Sequence, residues 1–408
     1  MSSLKYWIWL STLQGVGSVT AAKLLNHFGS PENIYNAGPG DYHNIPGVKP
    51  AELRSLSNKN TDYASKVLAS CDEISCKVLT LNDPEYPERL RNIYDPPTVL
   101  YIHGTLPAID DEPVVAVVGT RDCTLYGISA AESTGYSLAT NGLIVVTGLA
   151  RGVDSAATVG ALRGGGRVLA VIGSGLDVIY PPENKKLFSD VIRSGAILSE
   201  YAPGTPAIPS NFPIRNRILS GLSLGVAVIE APKRSGALIT AERALEQGRD
   251  VFALPGNVDA RSCEGSNLLL REGAIPFMKG EDIIGEYAEL YPDKIYSRVS
   301  EPSSAGTYST SDGNQRQSDD RDHSCGDKKE IDNSRGVDYI VLDKILNRLT
   351  GDEKAVAAAI GHMQMHVDDI ISGTGLPAER VLAAITMLEI SGCATRDSSG
   401  KCKLVEEV

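Results

Sequence analysis

The sequence predicts an α/β protein built on a Rossmann-like, doubly wound, mostly parallel sheet. A small helical domain precedes the sheet and a winged-helix-like domain follows it. Three observations lead there. Short β-branched runs alternate with helical patterns through the middle of the chain, as in sheets whose strands are buried on both faces. Glycine-bearing turns follow those runs. A long stretch without apolar period, residues 297–336, sets the last part of the chain apart. At 408 residues the chain exceeds one ordinary core, so several domains are expected. They are a helix-hairpin-helix-like domain over 1–65, a Rossmann-like domain over 78–290, a disordered linker over 297–336 and a winged-helix-like domain over 337–408.

The elements follow in order. "LQGVGSVTAAKLLNHFGS" (Leu13 to Ser30) carries a tight glycine turn into an amphipathic helix, and "IPGVKPAELRSL" (Ile45 to Leu56) repeats the pattern. This weak repeat resembles tandem helix-hairpin-helix motifs, whose turns can meet a phosphate. With few basic residues nearby, packing is the favoured role. Residues 78–107 form a proline-rich bridge with short strand-like runs. "VVAVVG" (Val114 to Gly119) then reads as a strand buried on both faces, Tyr126 to Thr140 as a helix, "LIVVTG" (Leu143 to Gly148) as a strand and Val153 to Leu162 as a helix. "RVLAVIGSG" (Arg167 to Gly175), "AILSE" (Ala196 to Glu200), "GVAVIEA" (Gly225 to Ala231) and "DVFALPG" (Asp250 to Gly256) supply further strands. Right-handed crossovers put all their C-terminal ends on one edge. The segment 297–336 lacks the apolar surface to offset its ordering entropy. Beyond it, three helices and a hairpin turning at Ser398 to Gly400 complete the winged-helix order.

Composition narrows the function classes. The chain is 42% hydrophobic and 22% charged, with a formal net charge of -12. No apolar run reaches membrane-spanning length and the apolar start lacks a basic n-region, so no membrane partner is expected. The seven cysteines make no C-x-x-C pair. A cytoplasmic, reduced, metal-free protein without cofactor is the plain expectation. Residues 114–280 hold 16 Lys/Arg against 14 Asp/Glu, so the remainder carries about -14 while this stretch is about +2. An anion site is therefore sought there as a local cluster.

Four turns on the strand-tip edge supply it: "GTRDCTLYG", "TGLARGVD", "GSGLDVIYPPENKKL" and "EAPKRSGALITAE". Their candidate phosphate-binding residues are Gly119, Thr120, Arg121, Gly148, Arg151, Gly152, Gly173, Ser174, Gly175, Lys185, Lys186, Ser235 and Gly236. Lys233 and Arg234 come from the same turns. "SNFPIRNRILSGLS" (Ser210 to Ser223) adds Arg215, Asn216 and Arg217. Glycine admits close backbone approach, helix N-termini present N–H groups, and the guanidinium fork suits phosphate. The alternative is that these arginines pair with Glu200, Glu230 or Asp154 as structural ion pairs. Tyr126, Tyr180, Tyr201 and Phe212 lie near the same edge, as core residues or as base platforms. There is no G-x-G-x-x-G after a strand, no P-loop and no G-x-S-x-G elbow. Asp154 and Glu230 have no nucleophile or metal cluster beside them and read as loop-orienting groups.

Between about Leu79 and Phe277 the chain resembles the DNA processing protein A (DprA/Smf) family. The strings that carry the resemblance include "YPERLRNIYDPPTVLYIHG", "VAVVGTRDCTLYG", "TGLARGVDSAA", "FPIRNRILSGLS" and "SGALITAERALEQGRDVFALPG". The resemblance implies a homodimeric single-stranded DNA binder without catalysis. It implies a mediator that helps load RecA recombinase on DNA during natural transformation. It places DNA contacts at Arg121, Arg215 and Arg217. Three positions depart from the family pattern: Thr120 replaces a serine, Thr158 a histidine, and Pro182 a DNA-contacting lysine whose place Lys185 or Lys186 would take. The alternative is a nucleotide-processing enzyme or nucleotide sensor on a similar sheet. The comparable loop, "APKRSGALITAE", lacks the "PGG-x-G-T-x-x-E" of such enzymes. Residues 337–408 hold 7 Lys/Arg against 11 Asp/Glu. The winged helix is therefore expected to be a protein-contact or regulatory piece rather than a reader of duplex DNA.

Overall fold

A computed structural model of the chain describes residues 3–43, 45–295, 349, 351–360, 365–391, 393–396 and 401–404. The expected linker and the hairpin tip at Ser398 to Gly400 lie outside the described residues. The chain divides into two compact units, Met1–Tyr296 and Ser297–Val408.

The first unit opens with six helices: α1 (Leu4–Thr12), α2 (Ser18–Phe28), α3 (Pro31–Asn36), α4 (Pro39–Tyr42), α5 (Pro50–Leu56) and α6 (Asp62–Glu73). Local chemistry sets their ends. Gly29, at φ 78°, stops α2 in the left-handed conformation and donates its N–H to Leu25 O at 2.7 Å. Ser30 then caps α3 by accepting from the Asn33 N–H, with Pro31 at the first helical position. These helices were expected to form a separate domain. Instead Trp7, Trp9, Leu10 and Leu24 share one buried cluster with Val99, Tyr101 and Val115 of the sheet.

The sheet has nine strands: β1 (Lys77–Thr80), β2 (Val99–Gly104), β3 (Val114–Val118), β4 (Ile144–Thr147), β5 (Val168–Ile172), β6 (Ala196–Ser199), β7 (Gly225–Val228), β8 (Asp250–Ala253) and β9 (Ile275–Pro276). Their order is β1-β2-β6-β5-β4-β3-β7-β8-β9. The six strands read from the sequence pair in parallel, while β1 and β2 extend the sheet antiparallel beyond β6. The remaining helices are α7 (Glu88–Arg91), α8 (Leu125–Thr140), α9 (Val153–Arg163), α10 (Lys185–Ser194), α11 (Asn211–Leu222), α12 (Gly236–Glu246), α13 (Glu264–Arg271) and α14 (Gly280–Ala288).

Alternation along β3 divides the core. Val115 and Val117 face the cluster built with Ala131, Leu138, Ala157 and Val191 of α8 to α10. Val114, Ala116 and Val118 face that built with Ile218, Leu222, Ala237 and Ala241 of α11 and α12. A strand covered on both sides needs apolar residues at every position, which is why "VVAVV" is unbroken. The chain leaves β3 toward β4 on one side and later returns to β7 on the other. The loops after β3 and β7 consequently diverge at the carboxyl edge and leave a crevice there.

The second unit contains α15 (Gly351–Ile360), α16 (Val367–Thr374) and α17 (Ala378–Ile390). Its antiparallel sheet, ordered β10-β12-β11, is made of β10 (Met365–His366), β11 (Ala394–Arg396) and β12 (Lys401–Leu404). Val356, Ile360, Ile370, Val381, Ile385 and Leu388 are buried in it.

Candidate nucleic-acid interface

The crevice between the β3 and β7 loops is a cavity of about 450 Å³. Gly119, Thr120 and Arg121 follow β3 and form one wall, and Arg215 and Asn216 of α11 another. Ser235 and Gly236 bring the start of α12 to the rim, with Arg234 beside them. The Ser235 hydroxyl accepts from the Ala237 N–H at 3.2 Å, so the side chain that caps α12 also lines the cavity. Buried Glu230 fixes the two loops to each other. Its Oε2 accepts from the Thr124 N–H at 3.0 Å and hydroxyl at 3.1 Å, and its carbonyl accepts from the Thr120 N–H at 2.7 Å.

Arg215 is 4% exposed. Its guanidinium lies against Gly148, where an added Cβ would fall 2.0 Å from Nη1. Nη2 makes a long 3.4 Å contact with Gly148 O, while Nε and Nη1 have no hydrogen-bond partner. Burial lowers its pKa to about 10, opposed by the Asp154 carboxylate and assisted by Arg121. The side chain is thus a cation at neutral pH with unmet donors, a costly state unless an anion or water completes it. Burial likewise raises the pKa of Asp154, against the pull of Arg215 and of the Ala150 and Gly148 amides. Asp154 does not cap its own helix; Oδ2 turns back to the N–H groups of Gly148 (2.9 Å) and Ala150 (3.4 Å).

The mouth is aromatic. The Arg121 guanidinium sits 5.0 Å from the Phe212 ring centre, and the Tyr180 ring centre lies 5.6 Å from it, the two rings tilted by 44°. The three make a partly exposed aromatic and cationic edge. A shallow recess beside it is lined by Arg121, Gly148, Arg151 and Tyr180. Arg151 is held there by an ion pair with exposed Glu183. Tyr126 and Tyr201 do not join the edge: their hydroxyls go to Pro255 O and Asn211 O.

Arg217 requires a correction. Two residues along a helix rotate a side chain by about 200°, so Arg217 leaves α11 on the face opposite Arg215. It is 3% exposed, with Nη2 on both Glu200 oxygens at 2.7 and 2.8 Å and Nε on Asp95 Oδ2 at 3.1 Å. The structural pairing with Glu200 weighed from the sequence applies to this arginine and not to its neighbour. Gly173, Ser174 and Gly175 are also interior. Asn211 Nδ2 donates to Gly173 O at 2.9 Å and the Ser199 hydroxyl to Ser174 O at 2.6 Å, so their carbonyls are taken by the protein itself. Gly152 stands behind the cavity wall. At φ 74° a Cβ there would fall 2.4 Å from Thr120 O and 2.6 Å from Arg121 O, so glycine serves a chain crossing. Lys185 and Lys186 begin α10, exposed and outside the cavity lining. Thr158 is fully buried and bonded to Thr147 and to Asp154 O.

In the second unit, Arg380 of α17 is engaged bidentately by Asp352 at 2.7 and 2.6 Å. That leaves this helix without the exposed basic face a duplex reader presents.

Comparison with known proteins adds to this geometry. The profile of the family described as DNA recombination-mediator protein A matches residues 77–288, and that of the DprA winged helix domain matches residues 345–400. The chain is 33% identical to Protein Smf of Synechocystis sp. over 416 residues, covering 97% of each chain. It is 46% identical to the DNA processing protein DprA of Streptococcus pneumoniae over 205 residues, 50% of this chain and 72% of that protein. The X-ray structure of DNA processing protein A from Streptococcus pneumoniae superposes with a TM-score of 0.61 at 37% identity. That alignment covers 69% of this chain and 97% of the other.

Proposed function

The chain belongs to the DNA recombination-mediator protein A (DprA/Smf) family, and on that premise we propose that the crevice between the β3 and β7 loops binds single-stranded DNA. A backbone phosphate enters between Arg121, Arg234 and the start of α12 and completes the unmet donors of Arg215. Gly119, Thr120, Asn216, Ser235 and Gly236 shape its seat. Bases stack on the Tyr180–Phe212 edge, which reads any base by its π-face. The protein acts as a binder without catalysis, as a homodimer, helping to place RecA recombinase on strands during natural transformation. The acidic winged helix contacts protein.

One observation carries this reading: an arginine 96% withdrawn from solvent lines an open cavity with two N–H donors unpartnered. Fluorescence anisotropy of labelled oligo-dT over a salt series tests it, run beside an assay for free base released from nucleoside monophosphates. With about three phosphates neutralised on a single strand, affinity falls about twentyfold between 50 and 200 mM salt. Binding that is absent or indifferent to salt, with base release, would replace the mediator by a nucleotide-processing enzyme.

A further inference from the structure

We propose that Cys71 and Cys76 form a thiol pair that a hydroperoxide converts to a disulfide, fastening the last turn of α6 to the residue before edge strand β1. The sequence contains no C-x-x-C motif; the pairing arises from how α6 ends. Ser75 adopts φ 53° after the helix, its N–H bonds to Asp72 O at 3.2 Å, and the Cys76 N–H returns to Cys71 O at 2.8 Å. This double return is a Schellman motif, which brings the third residue from the helix end against the second residue beyond it. Here both are cysteines. A backbone hydrogen bond between the two residues themselves draws their Cα atoms toward the spacing a disulfide requires, about 4.4–6.8 Å.

The two sulfurs differ in surroundings. Cys71 is buried in the core at the negative end of α6, while Cys76 is partly exposed at the seam with the sheet. The Cys76 thiol is placed to donate to Lys77 O at 3.4 Å. The neighbouring Cys71 side chain holds the Cys76 pKa down against its burial, and the Ile102 backbone of β2 helps. Cys76 in turn, with burial and the neighbouring Asp72, pushes the Cys71 pKa up. Cys76 is accordingly the nucleophile and Cys71 the resolving thiol. The Cys76 thiolate attacks one peroxide oxygen and the O–O bond breaks, giving a sulfenic acid and hydroxide. Cys71 sulfur then attacks the Cys76 sulfur and expels the second hydroxide, which leaves with the Cys71 proton as water. Two thiols are oxidised and one peroxide is reduced to two waters.

The test uses the full reduced chain with hydrogen peroxide, alkylation of remaining thiols and peptide mass mapping. Linked Cys71 and Cys76 peptides should appear about tenfold or more faster than loss of the Cys123 and Cys393 thiols, which are also partly exposed. Dithiothreitol should restore both thiols. In Cys71→Ser, dimedone should trap a sulfenic acid on Cys76, and in Cys76→Ser no linkage should form. If either variant fails to fold, the wild-type map alone decides. Cys76 reacting no faster than Cys393, or ending as a sulfinic acid without linkage, overturns the proposal.

Discussion

At the scale of single residues, Arg215 and Arg217 separate two uses of one side chain. Arg217 neutralises Glu200 and Asp95, whose side chains remain 21% and 29% exposed. Arg217→Ala should cost about 2–4 kcal/mol in denaturant unfolding, below the fully buried limit because its partners keep some water. The folded fraction should bind oligo-dT as the wild type does. Arg215 instead keeps two unpartnered N–H donors, its charge faced by the buried Asp154 carboxylate. Arg215→Met, similar in volume, leaves Asp154 without its cation and should unfold at lower denaturant while losing about tenfold or more in DNA affinity, the worth of a charge-assisted hydrogen bond. A variant that loses stability and keeps its affinity would make Arg215 a structural residue. The sequence showed both arginines at the right turn and could not divide them. The two-residue spacing puts them on opposite faces, but which face meets the crevice depends on how α11 packs.

At the scale of elements, the site is made by loops that hold one another. The β3 loop is tied to β7 through Glu230, and to the start of α9 by the Val153 N–H on Thr120 O at 3.2 Å. Gly152→Ala must push a Cβ into the Thr120 and Arg121 carbonyls at a backbone angle that L side chains avoid. It should lower unfolding stability by about 2–3 kcal/mol and weaken DNA binding by displacing Arg121, read by denaturation and anisotropy together. The glycine-rich turns were legible as special positions, because only glycine answers such geometry. Their purpose was not. Gly148 makes room for the Arg215 guanidinium and Gly152 for the β3 loop, contacts between segments distant in sequence. The same holds for β1 and β2, too short and proline-flanked to be assigned to the sheet before Tyr101 was seen against Ser199 of β6. By contrast, unbroken runs such as "VVAVV" announced themselves, since double burial dictates composition directly.

At the scale of the whole molecule, the first unit is one compact body. Trp7, Ile8, Trp9 and Leu10 of α1 are buried in the cluster that also holds Tyr101 and Val115. A chain lacking residues 1–65 should therefore melt without cooperativity and bind a hydrophobic dye. A chain ending at Tyr296 should keep a sharp transition and its DNA affinity, both measured by thermal melting and anisotropy. The apolar pattern of α1 fits a helical domain with its own core as well as a cover for a sheet, and three-dimensional neighbours decided between them. The sheet's other border is equally telling. β9 is two residues long and ends in Pro276, which has no N–H to offer a newcomer. The ladder terminates there by chemistry, which disfavours the addition of a further strand at that border. A lasting union at that border would draw more on side chains than on the backbone ladder.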